Sequence, residues 1–398
     1  MGIDTIAITG MQAAMTNMEV ISNNIANSNT VGFKKSYANF SDLFPSNAPI
    51  NASGLGVETS SIRQDFTSGG VQTTDQVLDL SINNNGFFMT RDPNSGQTSY
   101  TRAGRFNLDN KGYILGGTAR LQGFPSVNGT ILAPSIVDLQ IPNAPLPAKA
   151  TTTASGSINL DADATAPTGT FSNTDPTTYN FATNTTVYDS LGNPDQLTLY
   201  YIKSGVNTWS VNAEVSGTAI GTGTLTFSSS GALTSSTGLN GLSYATTSGA
   251  VTPQPFDVNL ANSTQYGGNG SQVLQPFTQD GYEAGTLTGM NIDNDGVVTA
   301  QYSNNQNNAV GQIAIAEFTA PGNLQDIGNS SWIATTSSGQ PTISQSESEG
   351  NIFSGSVEIS NVDLTEEMVN LISAQHTFQA NAQVEQTYNE IMQTVMKI

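Results

Sequence analysis

Two apolar stripes with helical spacing, one in each terminal segment, constrain the fold more than any other feature of the sequence. Ala7, Met11, Ala14, Met18, Ile21 and Ile25 recur at intervals of 4, 3, 4, 3 and 4, which keeps them on one side of a helix. In the C-terminal segment Asp363 and Glu366 offer a capping-box start, and Leu364, Met368 and Leu371 open a second stripe. After a polar interruption at Gln375, the apolar residues Phe378, Val384, Tyr388, Ile391, Val395 and Ile398 carry it on. At 1.5 Å per residue, a helix over 364–397 is about 50 Å long and the N-terminal one about 30 to 36 Å. Gly10 and the β-branched Thr5, Ile6, Ile8 and Thr9 weaken intrinsic helicity, so packing has to stabilise these segments. One reading packs each stripe on the chain's own β core. The other leaves both segments largely disordered in a lone subunit and makes the stripes an assembly seam, buried against each other or against neighbouring copies.

Between the helices the pattern changes. "VLDLSINNNGFFMT", "YTRAGRFNLDNKGYIL", "TTVYDSLGNPDQLTLYYI", "TWSVNAEV", "GTLTFSSSGAL" and "GQIAIAEF" alternate β-formers with turn clusters, which predicts many short strands. Asp109-Asn110-Lys111-Gly112 and Leu191-Gly192-Asn193-Pro194 place residues tolerant of positive φ between such runs, so hairpins are the expected unit. A Pro-rich stretch at 141–150 reads as a linker, and the Gly/Asn-rich "QYGGNGSQ" at 265–272 as its counterpart. The expected fold is mainly β with long terminal α-helices: a coiled-coil-like helical domain from 1–30 and 360–398, an extended arm over 31–70, and two nested all-β domains. The inner one takes 71–145 and 281–359, and the outer, inserted one takes 146–280.

Composition narrows the function classes. Charged residues are only 11% of the 398, with 31 acidic against 11 basic, and none of the basic ones lies between Ser204 and Met396. Nucleic acid and anionic membrane surfaces are repelled by such a chain. No apolar run approaches the length of a membrane span, and Asp4, Gln12 and Glu19 interrupt what would be a secretion signal. There is no cysteine and a single histidine, His376, so neither a metal pair nor a nucleophile–base pair can be assembled from them. Asn291, Asp293, Asp295 and Gly296 imitate the start of a calcium loop, but Tyr302 stands where the bidentate Glu is needed, and a turn is expected. "YGGNGS" and "GTAIGTGT" lack the strand-to-helix setting of a phosphate loop. No local signature singles out a carboxylate pair among Asp163, Asp189, Asp195 and Asp257. No catalytic, cofactor-binding or metal-binding set is expected. A surface adhesin shares this composition but gives no reason for matched helices in both terminal segments.

The stretch "SNNIANSNTVGFK" resembles the signature of the bacterial flagellar rod and hook protein family, carried here by Asn24, Ile25, Ala26, Asn27, Thr30, Gly32, Phe33 and Lys34. "DLSINNNGFFM", "YTRAGRFNLDNKGYIL" and "SNVDLTEEMVNLISAQHTFQANAQVEQT" are similar to the family's other shared blocks, in the same order, although the opening "MGIDTIAITGMQ" departs from the common Ser-Phe start. Within the family the rod members lack a large outer domain, so an insertion from 146 to about 280 places the chain with the hook members, the distal rod members being the alternative. The resemblance implies a non-enzymatic subunit, exported without a cleaved signal through the flagellar type III apparatus and polymerised outside the cell into a flexible tube that transmits torque. It also implies partners: further copies of itself, the distal rod, the hook cap, and the hook-length control and hook–filament junction proteins. In this frame the asparagines after the first stripe are expected to end the first helix, with Gly32 blocking its continuation.

Overall fold

The computed structural model describes residues 3–44, 54–83, 85–127, 129–246, 249–345 and 352–397. The described fold is mainly β, with one long helix near each end: α1 (Ile3–Ala26) and α2 (Leu364–Met396). Asp363 caps α2, its carboxylate accepting from the amides of Thr365 at 2.8 Å and Glu366 at 3.1 Å. The chain divides into two compact units, Met1–Asn143 with Gly289–Gln301 and Asn307–Ile398, and Ala144–Thr288 with Tyr302–Gln306.

In the first unit, the chain leaves α1 through Gly32, whose φ of +68° and close approach to the Arg102–Ala103 backbone exclude any side chain there. It then forms an antiparallel hairpin, Ser36–Leu43 against Gly56–Gln64. Two short strands, Val71–Thr73 and Leu80–Ile82, pair with Ser356–Glu358 and Ile352–Ser354, so segments far apart in sequence close on each other just before α2 begins. The main antiparallel sheet is built around Phe87–Arg91, Ala119–Val127 and Asn307–Glu317. Its core is aromatic: Phe87 meets Phe66, Phe318 and Trp332 edge-on, with centroids 5.5 to 5.9 Å apart. The expected turn at 109–112 is present, Asp109 accepting from the amides of Lys111 and Tyr113 while Gly112 takes φ +88°.

The second unit holds two five-stranded sheets around one core that includes Leu197, Tyr201, Trp209, Val211, Ile158 and Phe256. One is a meander of consecutive hairpins, Phe181–Tyr188, Pro194–Gly205, Thr208–Val215, Thr218–Phe227 and Leu233–Thr237. Asp189 closes its first turn by accepting from the amides of Leu191 and Asn193, with Gly192 at φ +85°. The other sheet centres on Thr153–Leu160, parallel to Gln254–Asn259 and Thr264–Gln265 and antiparallel to Gln272–Gln279.

The Gly/Asn-rich stretch at 265–272, expected to be a linker, lies inside this unit. The side-chain amide of Asn159, itself buried, donates to the carbonyls of Tyr266 and Gly270, and its oxygen accepts from Tyr266 N and Thr264 Oγ1. One buried asparagine thus fastens a segment whose composition alone reads as loose. The "NIDNDG" stretch forms a hairpin turn in which Asp293 accepts from the amides of Asp295 and Val297 and Gly296 takes φ +71°. Among the described residues no cluster of three acidic, His or Cys side chains suits a metal ion.

Candidate assembly interface

α1 and α2 lie against each other within one chain. Asn24 Nδ2 donates to Glu367 Oε1 at 3.3 Å, and a Cβ on Gly10 would meet the Asn381 side chain at 2.8 Å. Both contacts satisfy one antiparallel register, in which the paired residue numbers sum to 391. The hairpin covers a second side of α1, where Thr9 Oγ1 accepts from Val57 N at 3.4 Å and fills the space a side chain on Gly56 would need.

All six N-terminal stripe residues fall on covered sides of α1: Ala7, Ala14 and Ile21 are buried, and Met11, Met18 and Ile25 half-buried. The line of α2 toward α1 is a strict heptad of alternating 3 and 4 steps through Leu364, Glu367, Leu371, Ala374, Phe378, Asn381, Glu385 and Tyr388. Of the C-terminal stripe residues, Leu371, Phe378 and Tyr388 sit on this line and are half-buried. Leu364 and Val395 also hold heptad positions but stand at or past the ends of α1, exposed at 47% and 60%. Met368, Val384 and Ile391 lie off the line, on its flanks, with 53%, 46% and 55% of their surface exposed. Ile398 lies outside the described residues. The apolar pattern runs two lines into one because the packed line carries Glu367, Asn381 and Glu385, which an apolar period passes over.

The family-like motif forms a junction at the base of the helix pair. α1 runs on through Asn23 and Asn24 to Ala26, so these asparagines do not end it. Termination falls to Asn27, whose Nδ2 donates back to Asn23 O at 3.0 Å, with Thr30 Oγ1 donating to Asn27 Oδ1 at 3.1 Å. Asn24 is buried for another reason. It accepts from Ser36 N at 2.9 Å and donates to Ser36 O at 2.8 Å, clamping the first residue of the hairpin to both helices. Gly32 N donates to Glu358 O at 2.8 Å, Phe33 is half-buried, and Ala26 and Thr30 are exposed. Lys34 is the motif's charged residue and only 1% exposed. Its Nζ lies 2.7 Å from Glu358 Oε1 and donates to Thr67 O at 2.7 Å, while Arg102 Nη1 reaches Glu358 Oε2 at 3.0 Å. Burial pushes the Lys34 amine and the Arg102 guanidinium down from their ordinary values, and the Glu358 carboxylate opposes the shift in both. Asn361 ties the same region from the other side, accepting from Lys35 N at 2.7 Å and donating to Asp65 O at 2.9 Å.

Glu358, Arg102, Asn361 and Glu367 were not singled out from sequence. The available signal was a lone acid in the apolar strand before α2, and an Arg inside a family-like block. His376, the single histidine, is an exposed helix residue. No described helix is long and apolar enough to cross a membrane.

Burial also pushes the Glu367 carboxyl up, against the pull of the Asn24 hydrogen bond and the charge of Lys35. As pH rises, the unfolded chain therefore releases this proton first, and stability falls until the raised value is passed. Glu367→Gln keeps an oxygen for Asn24 and removes the cost. Urea titrations are expected to show this variant more stable than the parent at pH 7, the difference vanishing near about pH 3.

Four family models match the chain: "Flagella basal body rod protein" over 5–34, "Flagellar hook protein FlgE/F/G D1 domain" over 81–166, "Flagellar basal body protein FlaE D2 domain" over 159–282 and "Flagellar basal body rod FlgEFG protein C-terminal" over 354–398. Flagellar hook protein FlgE of Escherichia coli K12 is 37% identical over 98% of both chains, and that of Salmonella typhimurium LT2 is 38% identical with the same coverage. The chain belongs to the bacterial flagellar hook protein family. Hook proteins as distant as that of Treponema pallidum, 31% identical, are matched over 98% of both chains. The crystal structure of Helicobacter pylori flagellar hook protein FlgE2 shares the fold, with a TM-score of 0.54 at 14% identity over 71% of this chain and 98% of that one. As a hook-family member the chain is a structural subunit of the flagellar hook, and the rod and adhesin readings are not favoured.

Proposed function

We propose that the subunit polymerises into a flexible helical tube that serves as the universal joint between rod and filament, with the α1–α2 pairs forming the inner wall around the export channel. The observation that carries this reading is the surface of α2: one line is committed to α1, yet Met368, Val384 and Ile391 on its flanks remain about half exposed. A helix with more apolar surface than its own chain covers suits burial against further copies. The second unit would form the outer layer, where Ser, Thr and Asn side chains offer exchangeable hydrogen bonds that let neighbours slide as the tube bends. Export through the flagellar type III apparatus without a cleaved signal, and contacts with the distal rod, hook cap, hook-length control and hook–filament junction proteins, complete the reading. Negative-stain microscopy of concentrated protein is expected to show short curved tubes. Straight rigid rods would move the chain to the rod, and the absence of any polymer would overturn the reading.

A further inference from the structure

α2 is longer than the helix that covers it, 33 residues against 24. In the antiparallel register fixed by Asn24–Glu367 and Gly10–Asn381, Ile3, where α1 begins, falls opposite Tyr388. The last two turns of α2, Ile391 onward, therefore run past the described part of α1. The heptad line nevertheless continues through this overhang with Met392 and Val395, which remain 42% and 60% exposed. The seam established inside the chain is thus extended by nearly two turns with no helix upon it among the described residues.

The same chain offers a place for those side chains. Between α1, α2 and the hairpin lies an open cleft of about 490 Å³, whose walls include Gly10, Ala13, Ala14, Gly56 and Ala374. The Cβ spaces of Gly10 and Gly56 are taken by Asn381 and Thr9 of the same chain, so the room for a side chain from outside is the open volume beside them, bordered also by Ala13 and Phe40. Charge adds a second complementarity. Glu385 lies on the packed line one turn beyond Asn381, and its Oε2 is buried without a hydrogen-bond partner among the described residues. Lys397, at the end of the overhang, is exposed and makes no ion pair among the described residues.

We infer that the overhang Ile391–Lys397 of one copy seats in this cleft of the next, running parallel to the host α2, with Met392 over Gly10 and Asn381. Lys397 then stands about 7.5 Å further along, at the level of the host's Glu385. Plug and cleft are different surfaces of one chain, so the contact is head-to-tail rather than two-fold. Repetition gives a ring or an open helical polymer rather than a two-fold dimer, and the tube proposed above is the open form. This inference rests on the polymer reading above and specifies one of its contacts.

The chain has no cysteine, which makes disulfide mapping clean. Within one chain position 13 lies opposite 378, about 21 Å along the helix from 392, well beyond the roughly 7 Å that a disulfide spans between Cα atoms. Any bond between Ala13→Cys and Met392→Cys therefore joins two copies. Oxidised tubes of the double variant are expected to give a ladder of covalent oligomers, and an Ala13→Cys, Gln393→Cys control at least tenfold less. Tubes without the ladder would overturn the plug while leaving polymerisation intact, whereas failure of the unsubstituted chain to polymerise would remove both. Should the cysteine pair itself block assembly, Lys397→Glu is expected to raise the critical concentration at least tenfold and Glu385→Lys to restore it in the double variant. No rescue there counts against the contact.

Discussion

Replacing Glu358 by alanine is expected to lower the thermal midpoint of the first unit by about 10 °C. Glu358, Lys34 and Arg102 are each only 1 to 2% exposed, and the carboxylate balances both cations while also accepting from Gly69 N at 2.8 Å. Taking away one member of a buried ionic set leaves uncompensated charge in a dry interior, which costs about 3–5 kcal/mol. In a unit of this size each kcal/mol moves the midpoint by about 2–4 °C. Thermal unfolding followed by near-UV circular dichroism measures it, and a fall of less than about 2 °C would show that the network does not hold the unit together. Replacing all three residues with apolar side chains of similar volume should recover most of the loss, because the desolvation cost disappears with the charges. The network joins residues whose sequence separations are 256 and 324. Lys34 and Arg102 can be buried with their partner only once the segment just before α2 has arrived. Closure of this unit is therefore coupled to completion of the chain.

The physical reasons why parts of this design are legible in the sequence, and others not, can be named residue by residue. Strands and turns read out because their chemistry is local: Asp109 and Asp189 bond to amides within four residues, and Gly112 and Gly192 relieve positive φ in the same turns. Helix positions read out because a period is a local property, and Asp363 marks the start of α2 by accepting from the amides of Thr365 and Glu366, two and three residues on. Asn24 is different. Its neighbours in sequence suggest a helix terminator, and its three hydrogen bonds go to Ser36 and Glu367, which no local pattern connects. Likewise Asn159 turns a Gly/Asn-rich stretch into an ordered sheet border through contacts more than 100 residues away. Polar residues in buried seams are the general blind spot. Glu367, Asn381 and Glu385 face α1 at heptad positions that an apolar period passes over, so the period leads onto Met368, Val384 and Ile391 instead.

Those flank residues provide the sharpest separation between folding and assembly. Met368→Asp and Val384→Asp are each expected to abolish tubes at concentrations where the parent assembles, with the thermal midpoint of the monomer unchanged within about 1 °C. Both side chains stand on the flanks of the packed line, half exposed, so little that holds the isolated chain together is removed. In a polymer the exposed half becomes buried. Full burial of such a side chain contributes roughly 1.5–3 kcal/mol, so about half of that is lost, and a carboxylate left dry without a partner adds several kcal/mol more. A net penalty of about 3 kcal/mol or more raises the critical concentration at least a hundredfold. Phe378→Ala, on the line toward α1, should behave in the opposite way, destabilising the helix pair before assembly is reached. Sedimentation with negative-stain microscopy reads the polymer, and circular dichroism at 222 nm reads the helices. Normal tubes from both aspartate variants would mean that the flanks of α2 face solvent or channel rather than a neighbouring copy.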